Sequence, residues 1–265
     1  MGETVATTRG ADVAILPLAA HASGTGRLRL PYLDNLRTAM STQIPGGRPW
    51  PWREPAARLA SRLLPSDVLC YVDTEAQVFA LTFDDGPHPE TTPGLLDVLA
   101  RHSARATFFL IGERVVGNEA IVTRIAAEGH EVANHLMRDE RSALVPAERF
   151  RHELAEVTSL LGRFGPVRWV RPGSGWFTPR MRRAAAEHDL GMVLGTVVAM
   201  HAGDPGDQHI IPRLLTDIRP GSIAVLHEGT PKRRGVVATT DELLAALKRN
   251  GLTAVTVSEL VALRR

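Results

Sequence analysis

The sequence predicts an α/β fold in which parallel strands alternate with helices, and three observations predict it. From about residue 76, short apolar runs of strand character alternate with stretches whose apolar residues recur at helical spacing. Seven such strands are legible, which favours a barrel over an open doubly wound sheet. At 265 residues and 44% hydrophobic content, the chain is long enough to bury one large core as a single barrel domain.

The elements follow in order. Residues 1 to about 66 read as an extension, because Gly46-Gly47-Arg48-Pro49-Trp50-Pro51-Trp52 is loop-like and only Pro55 to Leu64 has helical spacing. Residues 1–75 are therefore set apart as an N-terminal extension that packs on the barrel or closes one of its ends, and residues 76–265 as the barrel domain. Strands are expected at Val78–Phe83, Ala106–Ile111, Glu131–Asn134, Val167–Val170, Met192–Val198, Ile223–Leu226 and Thr253–Val255. Helices are expected between them at Gly94–His102, Asn118–Glu128, Ala147–Arg163, Pro179–His188, Ile210–Ile218 and Thr239–Asn250. Strand, helix, strand in succession requires parallel strands with the helices outside.

Composition excludes several function classes. The 31 basic residues are interspersed with 29 acidic ones for a net charge of +2, without the basic stripe of a nucleic-acid partner. Cys70 is the single cysteine, so no intramolecular disulfide forms and nothing signals an oxidising compartment. No apolar run approaches the length of a membrane span, and the N-terminus lacks the basic-then-apolar order of a secretory signal. The expectation is a cytoplasmic protein with no membrane partner.

Chemistry gathers at the strand ends. The first strand runs into Asp84 and Asp85 and breaks at Gly86-Pro87. Adjacent carboxylates raise each other's proton affinity unless a metal ion, an arginine or solvent absorbs the charge, and a plain solvated turn is the competing reading. The third strand ends at His135, with Asp139 four positions on; a short helix there would put both on one face, within reach of a single ion. The next strand is followed by Arg171-Pro172-Gly173-Ser174-Gly175-Trp176, the next leads through His201 to Asp204-Pro205, and Ile223–Leu226 ends in His227-Glu228. Barrel sites form at the C-terminal ends of strands, and carboxylate, imidazole and guanidinium recurring at five of them point to one common site.

In order, Thr82-Phe83-Asp84-Asp85-Gly86-Pro87, Gly129-His130-Glu131-Val132-Ala133-Asn134-His135, Arg171-Pro172 and Leu226-His227 resemble the polysaccharide deacetylases, the NodB homology domain of carbohydrate esterase family 4, over about residues 76 to 262. The resemblance implies a distorted, incomplete (β/α) barrel of seven strands. It implies Asp84 as general base, Asp85 and His135 as metal ligands, Arg171 as the group that orients and tunes Asp84, and His227 as general acid with Asp204 as its charge partner. It also implies Pro172, Trp176 and Leu226 as substrate contacts. The cofactor it implies is a divalent metal ion, zinc foremost, with manganese, magnesium, nickel or cobalt as alternatives.

Two departures stand out. The family's second motif has histidines four apart, whereas this chain has Asp139 at the second position, giving one imidazole and two carboxylates, a harder and more anionic set. The competing role for Asp139 is a helix cap. The third motif replaces the family's Arg-Pro-Pro with Arg171-Pro172-Gly173, so the groove wall is rebuilt with small residues, and the fourth motif lacks its tryptophan, leaving His201 and Asp207 as competitors to Asp204. Arg233 and Arg234, soon after the fifth motif, are read as solvent-facing. The leading functional expectation is metal-dependent hydrolysis of an N-acyl amide, chiefly N-acetyl, on an amino sugar, whether a small molecule or an oligosaccharide. The alternatives are hydrolysis of another carbon-nitrogen bond and a non-catalytic barrel that has lost its metal.

Overall fold

The computed structural model describes residues 58, 59, 61–199 and 210–265. Among them, nine strands form one sheet: β1 (Val68–Leu69), β2 (Val78–Gly86), β3 (Thr107–Leu110), β4 (Glu131–Asn134), β5 (Trp169–Val170), β6 (Gly191–Val193), β7 (Val197–Val198), β8 (Ile223–His227) and β9 (Thr253–Val255). Their hydrogen-bonded order is β1-β6-β5-β4-β3-β2-β8-β7, with β9 also paired to β2, and the ladders are parallel. The helices are α1 (Thr92–His102), α2 (Gly112–Val115), α3 (Glu119–Ala127), α4 (Ala147–Gly162), α5 (Pro179–Ala186), α6 (Ile210–Asp217), α7 (Val236–Arg249) and α8 (Val257–Ala262).

The strand order shows how the sheet curls. Only residues 194–196 separate β6 from β7, yet the two lie near opposite ends of the path. A sheet can do this only by bending back until its ends almost meet. The ladder does not close there. An irregular bond crosses the gap instead, from Val72 N–H to the Gly221 carbonyl (3.0 Å), beside a Tyr71–Ser222 antiparallel bridge. This is the distorted, incomplete barrel that the family resemblance implied, with nine strands among the described residues where seven were expected. The expected strand Met192–Val198 is corrected to two strands, because Gly195 turns so close to β8 that a side chain there would run into Val225. Val68 and Leu69, inside the segment set apart as an extension, pair with Met192 and Val193 at the sheet edge.

Period-2 alternation sorts the strand residues into two layers. Phe79, Leu81 and Phe83 of β2 join Leu95 and Leu99 of α1 in the larger core between sheet and helices. Ala80 belongs with Phe109, Ala133, Val193 and Ile223, the side chains that fill the barrel interior. Each fully buried Phe or Leu contributes roughly 1.5–3 kcal/mol of transfer free energy. The inward series on β2 continues through Thr82 to Asp84, which brings a carboxylate to the rim of a packed barrel.

Candidate active site

Strand register gathers the rim. Asp84 pairs with Phe109 on one side and His227 on the other, while Leu110 pairs with Asn134, and Asn134 with Val170. His135 and Arg171 immediately follow the last two, so all four groups emerge at the same end of neighbouring parallel strands. Alternation alone would send Asp84 and Asp85 to opposite faces. The β2–β3 register shifts between Asp84 and Gly86, and Asp85 takes a left-handed backbone with φ of 69°, a β-bulge that turns the second carboxylate back toward the site. Both are almost fully buried, at 3% and 4% exposure.

Asp84 lies between a guanidinium and an imidazole. Arg171 Nη1 donates to Asp84 Oδ1 at 2.5 Å and to Thr82 Oγ1 at 2.8 Å, its Nε donates to the Val193 carbonyl at 3.2 Å, and its Cζ lies 3.9 Å from the centre of the Phe109 ring. These contacts fix the guanidinium plane and so one carboxylate oxygen. The other oxygen, Oδ2, faces His227 Nε2 at 3.9 Å. His227 Nδ1 lies 3.3 Å from the Ala199 carbonyl, an acceptor only, so Nδ1 carries the hydrogen and Nε2 is turned to the site. Burial lowers the His227 pKa below its ordinary value, although Asp84 and Asp85 pull the other way.

Asp85 has its own partners. Its Oδ1 lies 3.2 Å from His135 Nε2, and its Oδ2 accepts from Arg233 Nη1 at 2.5 Å. Burial alone would raise its pKa, but His135, His227 and Arg233 outweigh burial and hold the carboxyl far below the usual range. His135 Nδ1 donates to the Arg171 carbonyl at 2.7 Å, which fixes the ring and aims Nε2 at Asp85. Burial disfavours charge on His135, yet Asp84 and Asp85 prevail and raise its proton affinity. The neighbouring Asn134 side chain donates to the Leu154 carbonyl and Thr158 of α4 and accepts from Leu136 N–H, locking the turn that presents His135.

Asp85 and His135 together have donors that suit a divalent cation: a carboxylate oxygen and an imidazole nitrogen whose far side is anchored on a carbonyl. Asp139 does not stand with them. Its side chain is 53% exposed and pairs with Arg114 at 3.4 Å, and no group of three potential ligands gathers among the described residues. Its neighbours hold the loop in this arrangement, Arg138 through Glu153 (3.2 Å) and Glu140 through Arg149 (2.6 Å).

The second and third motifs meet here. A side chain at Gly173 would collide with the Glu140 carbonyl, and Gly173 N–H donates to Ser142 Oγ at 2.7 Å. A glycine at position 173 is thus what this loop packing requires. Pro172 is buried and Trp176 half-buried on that loop. Leu226 faces the outer core with Leu81 and Phe83, on the opposite side of β8 from His227. Asp204, His201 and Asp207 lie outside the described residues.

One expectation is corrected outright. Arg234 is exposed and pairs with Glu90, but Arg233 turns inward onto Asp85, because a buried carboxylate demands a counter-charge. Sequence reasoning also missed Arg114, whose Nη1 donates to the Asp85 carbonyl at 2.5 Å, and Glu228. Glu228 is fully buried beneath the Asp84–Gly86 turn and accepts from the Thr91 and Thr92 hydroxyls at 2.7 and 2.8 Å. Burial pushes its pKa up to about 7 despite those bonds. Its position directly after His227 was the only available signal.

A family model described as polysaccharide deacetylase matches residues 71–193. A peptidoglycan-N-acetylglucosamine deacetylase of Bacillus cereus is 32% identical over 201 residues, covering 72% of this chain and 91% of that protein. The chain belongs to the polysaccharide deacetylase family. A chitooligosaccharide deacetylase of a Bradyrhizobium species is 36% identical over 185 residues, covering 64% of this chain and 84% of that protein. Among solved structures, a peptidoglycan N-acetylglucosamine deacetylase in complex with 4-naphthalen-1-yl-N-oxidanyl-benzamide superposes with a TM-score of 0.70 at 28% identity, covering 82% of this chain and all of that one.

Proposed function

We propose that this family member removes the acetyl group from the amide nitrogen of an N-acetylated amino sugar within an oligosaccharide. The observation that carries it is Asp84 fixed between Arg171 (2.5 Å) and His227 (3.9 Å), a carboxylate and an imidazole facing each other across a gap at the rim. The names of the relatives support the sugar class, since they are peptidoglycan N-acetylglucosamine and chitooligosaccharide deacetylases.

In this reading Asp84, with one oxygen tied to Arg171, takes a proton through its free oxygen from an attacking water. His227, its Nδ1–H turned to the Ala199 carbonyl, presents Nε2 to the opposite side of the scissile bond and, in the imidazolium form in which Nε2 also carries a proton, passes that proton to the departing amine. Arg171 holds the base in register and stacks on Phe109, so the carboxylate does not swing away from the water. A divalent cation, zinc foremost, held by Asp85 and His135 would supply Lewis acidity at the acetyl oxygen. Asp139 would serve as a ligand only after leaving Arg114.

The test is incubation of the purified protein with N-acetylated chitooligosaccharides, peptidoglycan fragments and non-sugar amides, each with and without added zinc or manganese. Free amine from the sugars, in a metal-dependent manner, is the expected result. Release only from non-sugar amides would redirect the proposal to another carbon-nitrogen bond.

A further inference from the structure

The cation half of the site carries an arginine that the family's motifs do not account for. Asp85 is buried, both its oxygens are engaged, and one of them is held by Arg233 at 2.5 Å while the same Nη1 donates to the Glu228 carbonyl at 2.9 Å. The loop that delivers Arg233 is seated tightly. Gly229, with φ of 86°, packs so close that a side chain there would strike the Asp85 carbonyl and Arg114 Nη1. Arg114 then bridges the Asp85 carbonyl to the Asp139 carboxylate. Two guanidinium groups therefore occupy contacts on the two acidic positions of the expected ligand set, and the loop carrying Asp139 is pinned by Glu153 and Arg149.

Two cations on one carboxylate repel each other, and a guanidinium that neutralises Asp85 weakens its attraction for a second cation. A divalent cation at Asp85 Oδ1, the oxygen that faces His135, lies beside a guanidinium already hydrogen-bonded to Oδ2 of the same carboxylate, in a buried setting where water screens little. We infer that Arg233 is the residue that sets the cation affinity of this site: the cation is taken up in exchange for the Arg233–Asp85 ion pair, which releases the segment from Gly229 to Arg234. Arg233 thus acts as a resident counter-ion that stabilises Asp85 until a cation replaces it. This inference rests on the reading of Asp85 and His135 as cation ligands.

The experiment is calorimetric titration of zinc and of manganese into the metal-stripped full-length protein, its Arg233→Gln and Arg233→Lys variants, and the control Arg234→Gln. Arg233→Gln should bind the cation about tenfold more tightly or better, Arg233→Lys should fall between it and the wild type, and Arg234→Gln should match the wild type. In the wild type, amide hydrogen exchange across residues 229–234 should accelerate when the cation is added, a readout independent of turnover. The metal-free melting temperature of each variant shows whether it is folded, and Arg233→Lys supplies the answer if Arg233→Gln is not. Binding with unchanged or weaker affinity in the folded Arg233 variants overturns the exchange while leaving the cation site standing. No binding by any variant overturns both. Unchanged exchange at 229–234 on cation binding also overturns it.

Discussion

The two halves of the rim, one around Asp84 and one around Asp85, are built from adjacent residues and solve the same electrostatic problem differently. Asp84 is answered by Arg171, a guanidinium fixed by Thr82, the Val193 carbonyl and the Phe109 ring, all on barrel strands. Asp85 is answered by His135 from a strand end and by Arg233 from a loop. The first half is preorganised by the sheet, whereas the second depends on a loop contact that can be exchanged. Under the proposed function this difference has a use, since a base must hold its geometry throughout the reaction whereas a ligand position must open to admit its ion.

The sharpest way to break this comparison is Asp84→Asn. Deacetylation should fall roughly a thousandfold, the scale of a lost general base, while cation binding at Asp85 and His135 persists. Retained full rate would remove Asp84 from the chemistry. Arg171→Met comes next. It leaves the buried Asp84 without its partner, and unfolding in denaturant should reveal a loss of about 3–5 kcal/mol. A loss under 1 kcal/mol would mean that the Asp84 half is no more preorganised than the other.

Glu228 links the halves from below, and its effect depends on pH. Its folded-state pKa, about 7, lies above the ordinary 4.5. The folded protein therefore retains this proton while the unfolded chain releases it, and stability declines as pH rises through the window from 4.5 to about 7. The decline is about 3 kcal/mol by linkage, and Glu228→Gln should flatten it in denaturant melts at a series of pH values. An unchanged slope would mean that Glu228 does not carry it. The smallest effect is Arg234→Gln, an exposed pair with Glu90, which should shift stability by no more than about 0.5 kcal/mol.

Much of the rim was legible because it follows from local rules. Asp84, His135, Arg171 and His227 each sit at the end of an apolar run, and parallel strands bring such ends together. Arg114 and Arg233 were not legible, because long flexible side chains in loops reveal their partners only once the burial of Asp85 is known. Leu226 was misleading for the opposite reason: it is next to His227 in sequence and therefore on the other face of the strand.

The sequence by itself determined the alternation of strands and helices, the barrel class and the motif order that marks the deacetylase family, since periodicity and residue type are local. Only the tertiary structure decided that the strand expected at Met192–Val198 breaks to let the sheet curl, that a bulge at Asp85 turns two adjacent carboxylates to one site, and that Arg233 and Arg114 neutralise the side where Asp139 stands apart. Those outcomes depend on which charges are buried beside one another. Burial is a property of the assembled barrel, not of any segment within it.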